Sequence, residues 1–147
     1  MSVVNNLRVS TISPTLRVVL TNECNGKCFF CHREGCLFSK ESPLIMNTKM
    51  IEEIASTINE IGLSKVIFTG GEPTLYDGLL KAVYIISESC SDVQMEMTSN
   101  GYNIEQILDV QEYLHKITIS ISSLNEDIFM KYTMVNPYTV IDKLSPL

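Results

Sequence analysis

Short β-branched runs at residues 16–21, 65–69, 93–98 and 116–121 alternate with stretches of helical apolar spacing, and this alternation limits the fold more than any other feature. Met50, Ile51, Ile54, Ala55, Ile58 and Ile61 recur at helical intervals. Asn47 ahead of them is an N-cap type, and Gly62 behind them is a helix stop. The pattern repeats with Asp77 before Leu79, Leu80, Val83, Ile85 and Ile86, and with Asn103 before Ile104, Ile107, Leu108, Val110 and Leu114. Asn125 opens another helical stretch through Ile128, Phe129 and Tyr132, halted near Pro137, and a last helical fragment covers 140–144. Strands separated by helices of this length form right-handed βαβ units. The predicted fold is therefore α/β, a parallel sheet of about four βα units in one domain over residues 1–147.

The interval between the first two strands exceeds an ordinary βα unit by about twenty residues, and loops of that length are usually functional. The excess lies in 22–46, a polar stretch rich in Cys and Gly. In parallel α/β proteins the site sits at the carboxyl ends of the strands. Each strand here runs straight into a polar motif: Thr21-Asn22-Glu23-Cys24, Gly70-Gly71-Glu72-Pro73, Ser99-Asn100-Gly101, and Ser120 with Ser122 and Ser123. One rim, and one site, is the expectation.

Charge and hydropathy narrow the class. A net charge of −6 argues against a general nucleic-acid surface. No apolar run approaches the roughly 18 residues of a membrane span, and residues 1–6 lack the basic flank and apolar core of an export signal. The expected setting is cytoplasmic. Basic side chains concentrate toward the cysteines: residues 1–50 hold Arg8, Arg17, Lys27, Arg33, Lys40 and Lys49 against Glu23, Glu34 and Glu41, whereas the remainder is strongly acidic.

An odd set of five cysteines, Cys24, Cys28, Cys31, Cys36 and Cys90, argues for metal binding or buried thiols rather than a disulfide framework. Cys28 and Cys31 lie one turn apart, and Gly26 lets the segment between Cys24 and Cys28 curl tightly. Three thiolates suit three irons of a cubane and leave the fourth iron open to a substrate. The alternative is a zinc site in which Cys36 or His32 supplies a fourth ligand. Cys90, near the end of an amphipathic helix, reads as a core residue. His32 and His115 read as surface or supporting groups.

Cys24-Asn25-Gly26-Lys27-Cys28-Phe29-Phe30-Cys31, with an aromatic residue just before the last cysteine, resembles the signature of the radical S-adenosylmethionine (SAM) superfamily. Gly70-Gly71-Glu72-Pro73, directly after the second strand, is similar to that superfamily's second motif. The resemblance implies a partial barrel of the TIM type and a [4Fe–4S] cluster on Cys24, Cys28 and Cys31. It also implies that SAM chelates the fourth iron and is cleaved reductively to a 5′-deoxyadenosyl radical. By the same resemblance Gly70, Gly71 and Glu72 would meet the methionine end of SAM. Phe30 would lie beside its adenine, and an electron donor such as a ferredoxin or flavodoxin would reduce the cluster.

A narrower resemblance is to the GTP 3′,8-cyclase family of molybdenum-cofactor biosynthesis. It is carried by Leu16-Arg17-Val18-Val19-Leu20-Thr21-Asn22, by Cys28-Phe29-Phe30-Cys31-His32-Arg33-Glu34-Gly35, by Met97-Thr98-Ser99-Asn100-Gly101 and by Ile119-Ser120-Ile121-Ser122-Ser123-Leu124. It implies that Arg17 contacts the triphosphate of a GTP-like substrate, Ser99 the substrate side and Ser120 SAM. The chain departs from that family at Ile67, where a basic residue is usual, at Leu75 and Tyr76, where an arginine is usual, and at Ser122, where an aspartate is usual. The family also continues through further strands and a second cysteine set. The expectation is thus an incomplete core, truncated or completed by a partner chain or a second copy along an open sheet edge.

Overall fold

In the computed structural model, which describes residues 14–31, 46–133, 140 and 142, each β-branched run becomes one strand of a single sheet. The strands are β1 (Thr15–Val19), β2 (Lys65–Thr69), β3 (Gln94–Ser99) and β4 (Lys116–Ile119). They lie in the order β1-β2-β3-β4, and every neighbouring pair is parallel. The helices are α1 (Thr48–Ile61), α2 (Leu79–Ser89), α3 (Ile104–Val110) and α4 (Glu126–Thr133). The α/β fold with four βα units matches the sequence expectation. Among the described residues no helix is long and apolar enough to cross a membrane. The helical fragment expected at 140–144 lies mostly outside the described residues.

Local chemistry sets the boundaries. Asn47 Oδ1 accepts from Met50 N–H at 3.0 Å and caps α1, and Gly62 ends it in the left-handed region at φ 65°. Asn125 Oδ1 caps α4 in the same way, from Ile128 N–H at 3.0 Å. Asp77 does not cap α2. The position before that helix is Gly78, where a Cβ would stand 2.6 Å from the Tyr76 ring. Asn103 precedes α3, but its amide donates to Thr74 O at 3.0 Å instead of capping.

Strand alternation divides the sheet into two faces. Leu16, Val18, Leu20, Val66, Phe68, Met95 and Met97 pack with Ile51, Ala55 and Ile58 of α1, Leu79, Val83 and Ile86 of α2, and Ile104, Ile107 and Val110 of α3 in one apolar core. Cys90 joins this core, 4% exposed, with its thiol donating to Ala55 O at 3.4 Å. The opposite face carries the intervening residues. One row across it reads Arg17, Ile67, Glu96 and Lys116. His115 belongs to the far end of the sheet, where Nδ1 accepts from Met95 N–H at 3.2 Å.

On the opposite face Lys65 Nζ donates to Glu96 Oε1 at 2.7 Å, and this bond chiefly holds the Glu96 carboxyl below its ordinary range. A depressed folded pKa means stability that is present above the unfolded value and is lost as pH falls through the folded one. Lys65→Met should therefore cost about 1 kcal/mol near neutral pH. Urea unfolding should show the gap between variant and parent closing in acid. A gap that persists unchanged at pH 3 would remove the pair as its cause.

Candidate functional site

Beyond β1 the chain runs alongside the end of β2. Gly71 N–H donates to Thr21 O at 2.8 Å, and Glu72 N–H donates to Glu23 O at 2.7 Å. This approach explains the glycine pair. A Cβ on Gly71 would lie 2.0 Å from Glu23 O, and one on Gly70, whose φ is 154°, would lie 2.4 Å from Thr21 O. The side left bare by the two glycines is thus filled by the chain's own backbone, the stem of the cysteine loop.

Glu72 follows and turns inward. It is 2% exposed. Its Oε1 accepts from Thr74 N–H at 3.1 Å, Thr74 Oγ1 at 2.7 Å and Ser99 Oγ at 2.7 Å, while Oε2 accepts from Asn100 N–H at 2.8 Å. The carboxylate therefore clamps the end of β2 to the end of β3. Ser99, also 2% exposed, donates to Glu72 and accepts from Gly101 N–H at 3.0 Å. The Ser99 hydroxyl and the Glu72 oxygens are thus engaged with the chain's own groups inside the rim.

Asn100 extends this network to the cysteines, donating from Nδ2 to Asn25 Oδ1 at 2.7 Å. Cys24 and Cys31 are exposed and Cys28 half-buried. The Cys24 and Cys28 sulfurs stand 3.7 and 3.6 Å from where a Cβ on Gly26 would be, so the two flank the same small space. Burial pushes both thiols up from their ordinary pKa. For Cys24 the negative charges of Glu72, Cys28 and Cys31 act in the same direction, while the Gly26 N–H, 3.3 Å from Sγ, opposes them. For Cys28 the charge of Cys31 adds to burial. Thiols in this state favour their protons until a cationic centre among them reverses the balance.

Among the described residues no three His, Cys, Asp or Glu side chains converge to hold a metal ion. The three cysteines offer thiolate donors, the type that iron–sulfur clusters and zinc both take. His32 and Cys36, the fourth-ligand candidates for zinc, lie outside the described residues.

Beside the loop is a cleft of about 40 Å³ lined by Cys28, Phe30, Asn100, Ser120, Ser122, Phe129 and Thr133. It brings together Cys28 and Phe30 of the cysteine segment with Ser120 of the fourth-strand segment, all singled out in the sequence. Ser120 is tied to the third strand, its N–H donating to Ser99 O at 2.9 Å. Arg17 lies elsewhere, exposed on the open sheet face in register with Ile67. Phe129 and Thr133 were missed as site residues. Their spacing of four places both on one side of α4, and that spacing was their available signal. Two departures from the cyclase pattern are absorbed by the fold: Tyr76 is buried with its hydroxyl donating to Met46 O at 2.7 Å, and Ile67 sits between Arg17 and Glu96.

Comparisons with known proteins bear on family and fold. The sequence pattern of the Radical SAM superfamily matches residues 18–143. A probable GTP 3′,8-cyclase of Thermococcus kodakarensis is 34% identical over 123 residues, covering 82% of this chain and 39% of its own. GTP 3′,8-cyclase of Clostridium botulinum is 32% identical over 120 residues, covering 80% of this chain and 38% of its own. The chain thus spans about two fifths of the length of these curated relatives. Among solved structures, Streptococcus suis SuiB bound to S-adenosylmethionine superposes with a TM-score of 0.73 at 21% identity, over 87% of this chain and 29% of that one. That likeness is one of fold.

Proposed function

The chain belongs to the radical SAM superfamily, and from that premise we propose that it is the cluster- and SAM-binding part of a radical enzyme similar to GTP 3′,8-cyclase. The supporting observation is the meeting of the cysteine loop, the Gly70-Gly71-Glu72 segment and the Ser120 end of β4 on one rim. Cys24, Cys28 and Cys31 would hold a [4Fe–4S] cluster. When bound, such a cluster supplies the electron that cleaves SAM to a 5′-deoxyadenosyl radical.

The chain's own groups would bind and shield. Because the Glu72 carboxylate faces inward, the Gly70–Glu72 segment would receive the methionine end of SAM through its backbone. Phe30 offers a half-exposed ring to the adenine, and Ser120 an exposed hydroxyl to the ribose or carboxylate. Phe30 and Phe129 line the cleft with apolar surface that would exclude water from a reactive intermediate. Arg17, on the open face of β1, would face the phosphates of a GTP-like substrate, with Ser99 acting through the Glu72 clamp. Remaining substrate contacts would come from chain beyond the two fifths spanned, on this polypeptide or on a partner along the β4 edge. The expected setting is cytoplasmic, with a ferredoxin or flavodoxin as electron donor.

Anaerobic reconstitution should load about four irons per chain, the content of one cubane. With SAM and dithionite the product should contain 5′-deoxyadenosine. Added GTP should contribute hydrogen to it if the substrate assignment holds. Uptake of zinc in place of iron, or iron without SAM cleavage, would favour a metal module that is not an enzyme.

A further inference from the structure

The last turn of α4 meets the cysteine loop. A helix ends with carbonyls that have no partner inside it. Here Lys27 N–H donates to Thr133 O at 3.0 Å, and Phe29 N–H donates to Tyr132 O at 3.2 Å. The Tyr132 ring lies against Phe29 with centroids 4.7 Å apart, and Phe29 meets Phe30 edge-on at 5.4 Å. Thr133 O also stands 3.4 Å from where a Cβ on Gly26 would be. Residues 26, 27 and 29 are spacers between the cysteines, so the contacts with α4 fall between the thiols.

The two ends of this contact are built differently. On α4, Phe129 and Thr133 are buried, 2% and 4% exposed, and Thr133 Oγ1 donates to Phe129 O at 2.7 Å within the helix. The loop side is open, with Phe29 73% exposed. The stem of the loop is fixed to β2 and β3 through Glu23 and Asn25. Among the described residues past Asn25, the backbone bonds from Lys27 and Phe29 run to α4.

We propose that the Tyr132–Thr133 end of α4 is a latch for the cysteine loop, with Tyr132 and Phe29 as positioning residues for the three thiols. That it serves a cluster rests on the reading above; that it orders the loop does not. The latch couples the residues following β4 to the segment following β1, closing the rim across its two outermost strands.

Hydrogen exchange on the intact, cluster-free chain tests it. The amides of Lys27 and Phe29 should be protected. Tyr132→Ala and Phe29→Ala should each speed their exchange at least tenfold, while the Leu20 and His115 amides, bonded within the sheet region, stay unchanged. Tyr132→Phe keeps the ring and should restore protection. After anaerobic reconstitution, Phe29→Ala should begin with the parent's iron content and lose it severalfold faster to a chelator. Unchanged exchange in both alanine variants would overturn the latch whatever the iron result. Equal exchange in Tyr132→Phe and Tyr132→Ala would overturn the role of the ring. Should the parent bind no iron while exchange responds as expected, the cluster reading fails and the latch stands. If Tyr132→Ala does not fold, Phe29→Ala decides alone, since its exposed ring supports no core.

Discussion

Gly71→Ala is expected to cost about 3 kcal/mol or more and to unseat the cysteine loop. The added carbon would lie 2.0 Å from Glu23 O, 2.5 Å from Glu23 C and 2.9 Å from Asn22 O. All three are backbone atoms, so no side chain can swing aside. The stem must retreat, and retreat breaks the 2.7 Å bond from Glu72 N–H to Glu23 O. Urea unfolding measures the loss, and iron uptake on reconstitution reports the loop. Gly62→Ala is the comparison: nothing lies within 4 Å of its added carbon, and strain at φ 65° should cost only about 1 kcal/mol. A Gly71→Ala variant as stable as its parent would mean that the stem does not lie against β2 as described.

The second large effect concerns Glu72. Removing its carboxylate with Glu72→Ala strands the Thr74 and Asn100 amides and the hydroxyls of Thr74 and Ser99 in the interior. Each buried donor left without a partner costs about 1–3 kcal/mol, and hydroxyls relax more easily than amides. A total near 3–5 kcal/mol is expected by chemical denaturation. Glu72→Gln keeps the shape but sets an NH₂ group against a backbone donor, for about 1–2 kcal/mol. On the proposed function SAM affinity should fall in step with these losses, because the rim proposed to receive it is being loosened. A Gln variant that keeps its stability yet loses SAM binding would show instead that the carboxylate meets SAM directly.

How far the sequence spoke depended on whether the signal was local. Asn47 and Gly62 bound α1 because capping involves residues within one turn, and the β2 run begins and ends where its composition does. Cysteine spacing is local too. Asp77 misled because the Tyr76 ring, placed by tertiary packing, occupies the space over Gly78, which takes the position before α2. The Glu72 clamp was hidden for another reason. It depends on which residue of β3 stands beside the end of β2, and register is a property of the assembled sheet. The contacts of α4 with the loop run largely through main-chain carbonyls, which every residue carries and no residue type advertises.

The bond between Asn100 and Asn25 joins positions 75 residues apart, and that from Lys27 to Thr133 spans still more of the chain. Contacts of such long separation form late, after the nearer strand pairs have repaid their loop-closure entropy. During synthesis, then, the three cysteines are made well before the α4 residues that meet their loop, and the loop is among the last parts put in place. Throughout that interval their thiols lie in an unformed loop, open to oxidants and stray metals.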